Sequence, residues 1–318
     1  MPASFPKPKT DYAYDLKSEV EHLKKFKTER KIPARSAGTL MLATWNIANL
    51  GGQERRESDY HLISEIILWF DIIGIQECKD NLTGLRGILK ELPARYKTVF
   101  SNAAGNDERM CYIWDSEKIQ PLEKLGELAI PVSDYDAVKV PGVNGKFQGY
   151  DRTPFIASFK VKDFDFVMIN AHTYFGNAKT KESEKASMAR RTLETFGVAR
   201  WAELRRKSPN AFSKNIIVVG DFNLPKAEKG DPVYDALTSK GLLLPEHSTK
   251  VYSNLKNDAN YDQVAFLPGL KEKVTNNGVF DFDNCLFPDL YKKNEKLFVD
   301  YCKYYMSDHR PKWIEITF

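Results

Sequence analysis

The stretch IIVVGDFN, residues 216 to 223, sets a carboxylate and an amide directly after a run of β-branched residues. Such a run reads as a strand buried on both faces and stopping at Gly220. Alternate side chains of an extended chain share a face, so Asp221 and Asn223 are expected to point the same way. A carboxylate and an amide held rigidly there can bind a metal-bound phosphate. In isolation the pattern would be a strand followed by an Asp/Asn turn. It is not isolated: Asn46, Glu77, His172 and the pair Asp308–His309 also end or follow apolar runs. Strands packed side by side bring such ends to one rim, where clefts form in sheet proteins.

The residue types narrow the chemistry. Carboxylate oxygens from Glu77, Asp221 and Asp308, with no nearby cysteine ligand, suit Mg²⁺, with Mn²⁺ or Ca²⁺ as alternatives, rather than zinc. His172 and His309 lack HxxxH metal spacing and suit proton transfer near neutral pH. His22, His61 and His247 fall in helical or loop contexts and receive no role. No serine or cysteine occupies a nucleophile-elbow context, which argues against acyl-type covalent chemistry. No GxxxxGK[ST] loop occurs, which argues against a nucleotide triphosphatase. Metal-assisted hydrolysis of a phosphate ester remains: water attacks phosphorus in line while cationic groups offset the developing charge.

The elements that must position these residues follow the apolar periodicity. Residues 1 to 10 are proline- and lysine-rich and read as an extended lead-in. Leu16, Val20, Leu23 and Phe26 recur at helical spacing between Tyr14 and Arg30, opposite a face of lysines and arginine that reads as solvated. IPARSAG looks like a linker, so residues 1 to 37 are expected to form an extension and 38 to 318 a single catalytic domain. A strand from Thr39 ends in a polar loop at Asn46, and a helix around Leu62 to Phe70 leads to a second buried strand ending at Glu77. Further strands are expected at VFS, RMCYIWD, PFIASFKV, DFVMINAH, YDQVAF and KWIEITF, with helices near 82 to 92 and 180 to 207. Residues 120 to 150, rich in Pro, Gly, Asp and Tyr, read as irregular loop. Helices between early strands and hairpin-like strands later suggest an α+β fold, a four-layer α/β/β/α sandwich of two mixed sheets flanked by helices.

With 318 residues and 42% hydrophobic content the chain can bury a large core. A net charge of +4 permits a polyanionic partner without demanding one. Four scattered cysteines form neither metal-type nor disulfide-type spacing, and Cys78 and Cys111 fall in apolar runs as buried thiols. No segment approaches the ~20 apolar residues of a membrane span, and no signal-like apolar core opens the chain. A soluble monomer is expected, with a bacterial cytoplasmic location and secretion after signal removal both left open.

TWNIANLG, IQECKD, ERMCYIWD, DRTPF, INAHT, VVGDFN, YDQV and SDHRP occur in this order. In that order they resemble the endonuclease/exonuclease/phosphatase superfamily, and within it the branch of pancreatic-type deoxyribonuclease and its bacterial relatives. The likeness runs from about residue 40 to the end. GDFN and SDH are shared across the superfamily, whereas IQECKDNLTGL and ERMCYIWD are its nuclease-like part. The resemblance implies that Glu77 holds the divalent metal with Asn46 and Asp308, and that Asp221 and Asn223 bind the scissile phosphate or a second metal. It implies His309 as general base, oriented by Asp262, and His172 as general acid, oriented by Glu108. Arg152 would clamp a phosphate oxygen, and Lys79 stands where related nucleases commonly place an arginine reaching into the DNA minor groove.

Three departures qualify the likeness. Lys79 supplies a point charge in place of a planar fork. Gln263 stands where a basic residue is usual, and the disulfides of secreted animal enzymes have no equivalent. The expected activity is a divalent-metal-dependent endonuclease cutting double-stranded DNA through backbone contacts, with little sequence specificity. Basic residues on the first helix, together with Lys179, Lys181, Lys185, Arg190 and Arg191, would supply phosphate neutralisation. A phosphodiesterase or phosphatase acting on a small-molecule or lipid phosphate is the alternative, with a catalytically inactive binding module third.

Overall fold

The computed structural model describes residues 5–176, 179–246 and 251–318; His247 lies outside the described residues. Strands are β1 (Thr39–Leu50), β2 (Ile72–Lys79), β3 (Tyr96–Phe100), β4 (Glu108–Asp115), β5 (Gln120–Glu127) and β6 (Phe155–Val161). They continue as β7 (Phe164–His172), β8 (Ile216–Asp221), β9 (Asp262–Phe266), β10 (Val274–Val279) and β11 (Lys312–Thr317). Helices are α1 (Leu16–Glu29), α2 (Glu57–Ile67), α3 (Thr83–Glu91), α4 (Lys181–Lys207), α5 (Pro232–Thr238), α6 (Pro288–Lys293) and α7 (Glu295–Tyr301). One sheet has the order β10-β11-β1-β2-β4-β3 and the other β5-β6-β7-β8-β9. β1 and β2 are parallel, as are β7 and β8, while the remaining pairs are antiparallel, so both sheets are mixed.

Alternation along the strands builds the layers. In β1, Leu40 and Leu42 join the core between the sheets, whereas Met41, Ala43 and Trp45 face the helices outside. In β8, Ile217 and Val219 face the other sheet, and Ile216 and Val218 pack on Val198, Ala199 and Ala202 of α4. Both faces of these strands are covered, which is why their sequences are continuously apolar rather than alternating. The α+β four-layer arrangement follows.

The first helix is joined to the main body. Leu23 is fully buried, the Glu19 carboxylate accepts the Phe287 backbone N–H at 2.9 Å, and Arg30 pairs with Asp281. Arg35, in the segment read as a linker, bridges Asp71 and Asp115. The helix's cations are also engaged: Lys24 lies 3.7 Å from Glu65, and the Lys27 ammonium sits 5.2 Å from the Trp69 ring centre.

Some elements differ from the sequence expectation. β5 lies inside the stretch read as loop; it is an exposed, charged edge strand with Pro121 beside a register shift. Edge strands of that composition carry no burial period to read. β1 continues past Asn46 to Leu50 through an irregularity. β10 and the short helices α5, α6 and α7 give no strong periodicity either. Cys78 and Cys111 are buried free thiols, as expected.

Gly220 is the one residue of the GDFN turn whose side chain the fold forbids. Its φ is +138°, and a Cβ there would stand 1.9 Å from the Ala171 carbonyl oxygen on β7. Gly220→Ala therefore meets both backbone strain and a backbone clash. The expected result is a loss of more than about 1 kcal/mol in denaturant unfolding; an unchanged midpoint would contradict the close approach of β7 and β8.

Candidate active site

Three neighbouring strand ends bring polar residues into line. His172 on β7 is in register with Asp221 on β8, and Asp221 with Asp262 on β9. From the other sheet, β1 supplies Asn46, and β2 supplies Glu77 at a point where pairing with β1 and β4 slips. Glu77 has φ +61°, an unusual backbone state for a non-glycine residue that turns its carboxylate toward β1. There Oε1 accepts from Asn46 Nδ2 at 2.9 Å and Oε2 from the Asn49 N–H at 2.8 Å.

The geometry converges on one atom. Asp221 Oδ2 accepts from Asn46 Nδ2 at 3.0 Å and stands 3.5 Å from His172 Nε2 and 3.8 Å from His309 Nε2. Both imidazoles thus face a single buried carboxylate oxygen from opposite directions in the sequence. Asn223 is brought in by a bond rather than by strand alternation. Its φ is +48°, its N–H donates to Asp221 Oδ1 at 2.8 Å, and its amide donates to the Thr173 carbonyl at 3.0 Å.

His309 is held from several sides. Its Nδ1 bonds Asp262 Oδ2 at 2.8 Å, which fixes the tautomer and leaves Nε2 facing the centre. Its carbonyl accepts from Trp45 Nε1 at 2.8 Å, and its N–H donates to Ser307 Oγ at 3.0 Å. That hydroxyl donates to the Asn46 carbonyl at 2.6 Å, so the SDH turn is stitched to the middle of β1. Asp308 stays 31% exposed at its side chain, with Oδ1 4.0 Å from His309 Nε2.

On the other side, Glu108 Oε2 lies 3.6 Å from His172 Nδ1, within ion-pair range and beyond hydrogen-bond length. Glu108 instead accepts from Arg152 Nη1 at 3.0 Å and from Lys79 Nζ at 3.0 Å. Arg152 also donates to the carbonyls of His172 and Thr173 at 3.1 and 3.0 Å, making it a buried brace across the end of β7. Lys79 is 14% exposed at its side chain and tied to Glu108, and its ammonium also reaches the Asn106 carbonyl.

The charges have traceable causes. Burial first, and Glu77 second, push the Glu108 carboxyl up to about 7. Burial first, and Arg152 second, push His172 down to about 4, so its ring is neutral at physiological pH. Burial alone would lower His309 as well, but Asp262, Asp221 and Asp308 together hold its imidazole well above the ordinary value. Partial burial raises Asp308 against the opposing pull of His309, and Glu77 adds like-charge repulsion.

These groups fit a hard divalent cation. Glu77 and Asp308 repel one another inside one cavity, and a cation between carboxylates removes that penalty. The Asn46 amide nitrogen must face its two carboxylates, and its Oδ1 is buried with no hydrogen-bond partner among the described residues. Asp221, Asp262 and His309 also offer ligand atoms within 4.8 Å of one another. The Asp262–His309 bond already occupies two of those atoms.

One cavity of about 540 Å³ is lined by Glu77, Glu108, His172, Asp221, Asp308 and His309, whereas Asn46, Lys79 and Asp262 are not among its lining residues. Arg191 is a residue that the sequence reading misplaced. Expected on a cationic face of α4, it is buried, donating to the carbonyls of Tyr174, Phe175 and Asn223 at 3.0, 3.1 and 2.9 Å. Arg190 is likewise engaged, with Asp151 and Glu194 at 3.2 Å. The roles of Ser307 and Glu194, which accepts the backbone N–H of Asp151 and Tyr174 at 3.1 and 2.9 Å, had no sequence signal beyond their position.

No protein-family model matches the chain. A deoxyribonuclease of Thioalkalivibrio sp. (strain K90mix) is 25% identical over 236 residues, 70% of this chain and 58% of that protein, so the chain spans less than two thirds of its length. An endonuclease/exonuclease/phosphatase family protein of Bacteroides thetaiotaomicron superposes with a TM-score of 0.56 at 22% identity, over 88% of this chain and 98% of that one. A mannosyl-6-phosphatase of Bacteroides thetaiotaomicron VPI-5482 gives 0.54 at 20% identity, over 88% and 100%. The fold is that of endonuclease/exonuclease/phosphatase proteins.

Proposed function

We propose that this protein is a divalent-metal-dependent phosphodiester hydrolase that cuts DNA endonucleolytically with little sequence preference, acting as a monomer with Mg²⁺. The single observation behind the reading is the placement of His172 Nε2 and His309 Nε2 within 4 Å of Asp221 Oδ2. Two imidazoles around one anionic centre are what in-line displacement at phosphorus needs, one to accept the water proton and one to protonate the leaving oxygen. His309, oriented through Nδ1 by Asp262, and His172, neutral in its buried setting, share these two transfers. Asn223 and Asp221 position the phosphate, while Arg152 and Lys79, both bonded to Glu108, brace the site rather than clamp a phosphate oxygen. Glu77, Asp308 and Asn46 would hold the cation, which would stabilise charge on the phosphate oxygens.

DNA as the substrate is supported by the similarity to a deoxyribonuclease. Duplex contact would draw on the exposed Lys179, Lys181 and Lys185, since Arg190 and Arg191 are committed internally. A second reading, a phosphatase on a sugar phosphate, is favoured by the bounded cavity and the similarity to a mannosyl-6-phosphatase.

The test is nicking of supercoiled plasmid in Mg²⁺. Cleavage is expected, with complete loss in excess chelator and return on adding Mg²⁺. Glu77→Gln should raise the Mg²⁺ concentration for half-maximal rate by about 10–100-fold. Plasmid that stays intact, together with release of phosphate from sugar phosphates, would select the second reading.

A further inference from the structure

Phe175 is a large apolar side chain left 53% exposed, and it lines the cavity three residues after His172. A single exposed aromatic is ordinary on a protein surface. This one has a rigid mount: its carbonyl accepts from Arg191 Nη2 at 3.1 Å and from the Ser187 hydroxyl. The Arg191 guanidinium lies 5.1 Å from its ring centre. Tyr174 beside it also lines the cavity, with the Arg190 guanidinium 4.2 Å from its ring. The aromatic lining continues on the side of the other sheet. There Phe5 borders the cavity with the Lys303 ammonium 5.8 Å from its ring; Tyr261, leading into β9 of the same sheet as His172, packs 5.8 Å from the His309 ring.

A ring presented to a cleft stacks readily on a base that is free to leave its own stack. Duplex bases are stacked on each other, whereas unpaired bases stack on protein aromatics with little regard to sequence. Long-duplex binding rests instead on phosphate neutralisation across a surface. Here Arg190 and Arg191, on the helix beside the cleft, are turned into internal bonds. We infer that Phe175 is a stacking platform for an unpaired nucleotide next to the scissile phosphate, so that single-stranded or locally unpaired DNA is the preferred substrate. The inference rests on the nucleic-acid reading above and names the substrate class of the same site.

A binding measurement in chelator separates the two. Fluorescence anisotropy of a labelled oligo(dT) is followed with the wild-type chain, Phe175→Ala and Phe175→Trp, and with an unlabelled duplex of equal length as competitor. The expected result is a Kd about 5- to 100-fold higher for Phe175→Ala, recovery in Phe175→Trp, and weaker competition by duplex. An unchanged Kd in Phe175→Ala, or a duplex that competes as well as single strand, overturns the platform. Binding is read without catalysis, so strong Phe175-dependent binding with no cleavage in Mg²⁺ would leave the platform standing and remove the hydrolase reading. Normal plasmid cleavage with Phe175-independent binding would do the reverse.

Discussion

His309→Ala is expected to slow DNA cleavage by about 10²–10⁴-fold, the usual contribution of a positioned acid–base group. The side chain is joined to Asp262 through Nδ1 at 2.8 Å, and its Nε2 faces Asp221 and Asp308. Alanine removes the proton-exchanging atom and leaves the turn in place. The backbone bonds that seat the turn, from Trp45 Nε1 to the 309 carbonyl and from the 309 N–H to Ser307 Oγ, do not involve the imidazole. Asp262 is left buried without its partner, so some loss of stability is also expected. Turnover of an oligonucleotide in saturating Mg²⁺, with circular dichroism and a melting curve on the same preparation, checks both. A variant that folds and cuts at the normal rate would remove His309 from the chemistry.

Asp221→Asn is expected to be nearly as damaging, at least about 100-fold in rate. The substitution keeps the shape and one acceptor for the Asn223 N–H, but it puts an amide group where Oδ2 accepts from Asn46 at 3.0 Å. It also removes the negative charge that both imidazoles face at 3.5 and 3.8 Å. Groups that act as a unit lose activity non-additively. The double variant with His309→Ala should therefore be little slower than the worse single one. Rate constants for both singles and the double decide it: losses that multiply would mean independent groups and no shared centre.

Sequence by itself settled which residues could take part, because strand ends are local features. A run such as IIVV is apolar on both faces only if both are covered, and Asp221 follows it whatever the rest of the chain does. The same reasoning reached Asn46, Glu77, His172 and His309, and the apolar runs that build the two sheets. Tertiary structure alone decided what those residues meet. The His309–Asp262 bond spans 47 positions and the Asn46–Asp221 bond 175, separations at which no local period carries information. It also decided the fate of the charges. Arg152, expected to clamp a phosphate oxygen, and Arg191, expected on a cationic helix face, are buried against backbone carbonyls that the chain supplies from elsewhere. A guanidinium is turned inward or outward by whether unpaired acceptors await it inside, and those acceptors exist only once β7, β8 and α4 have packed.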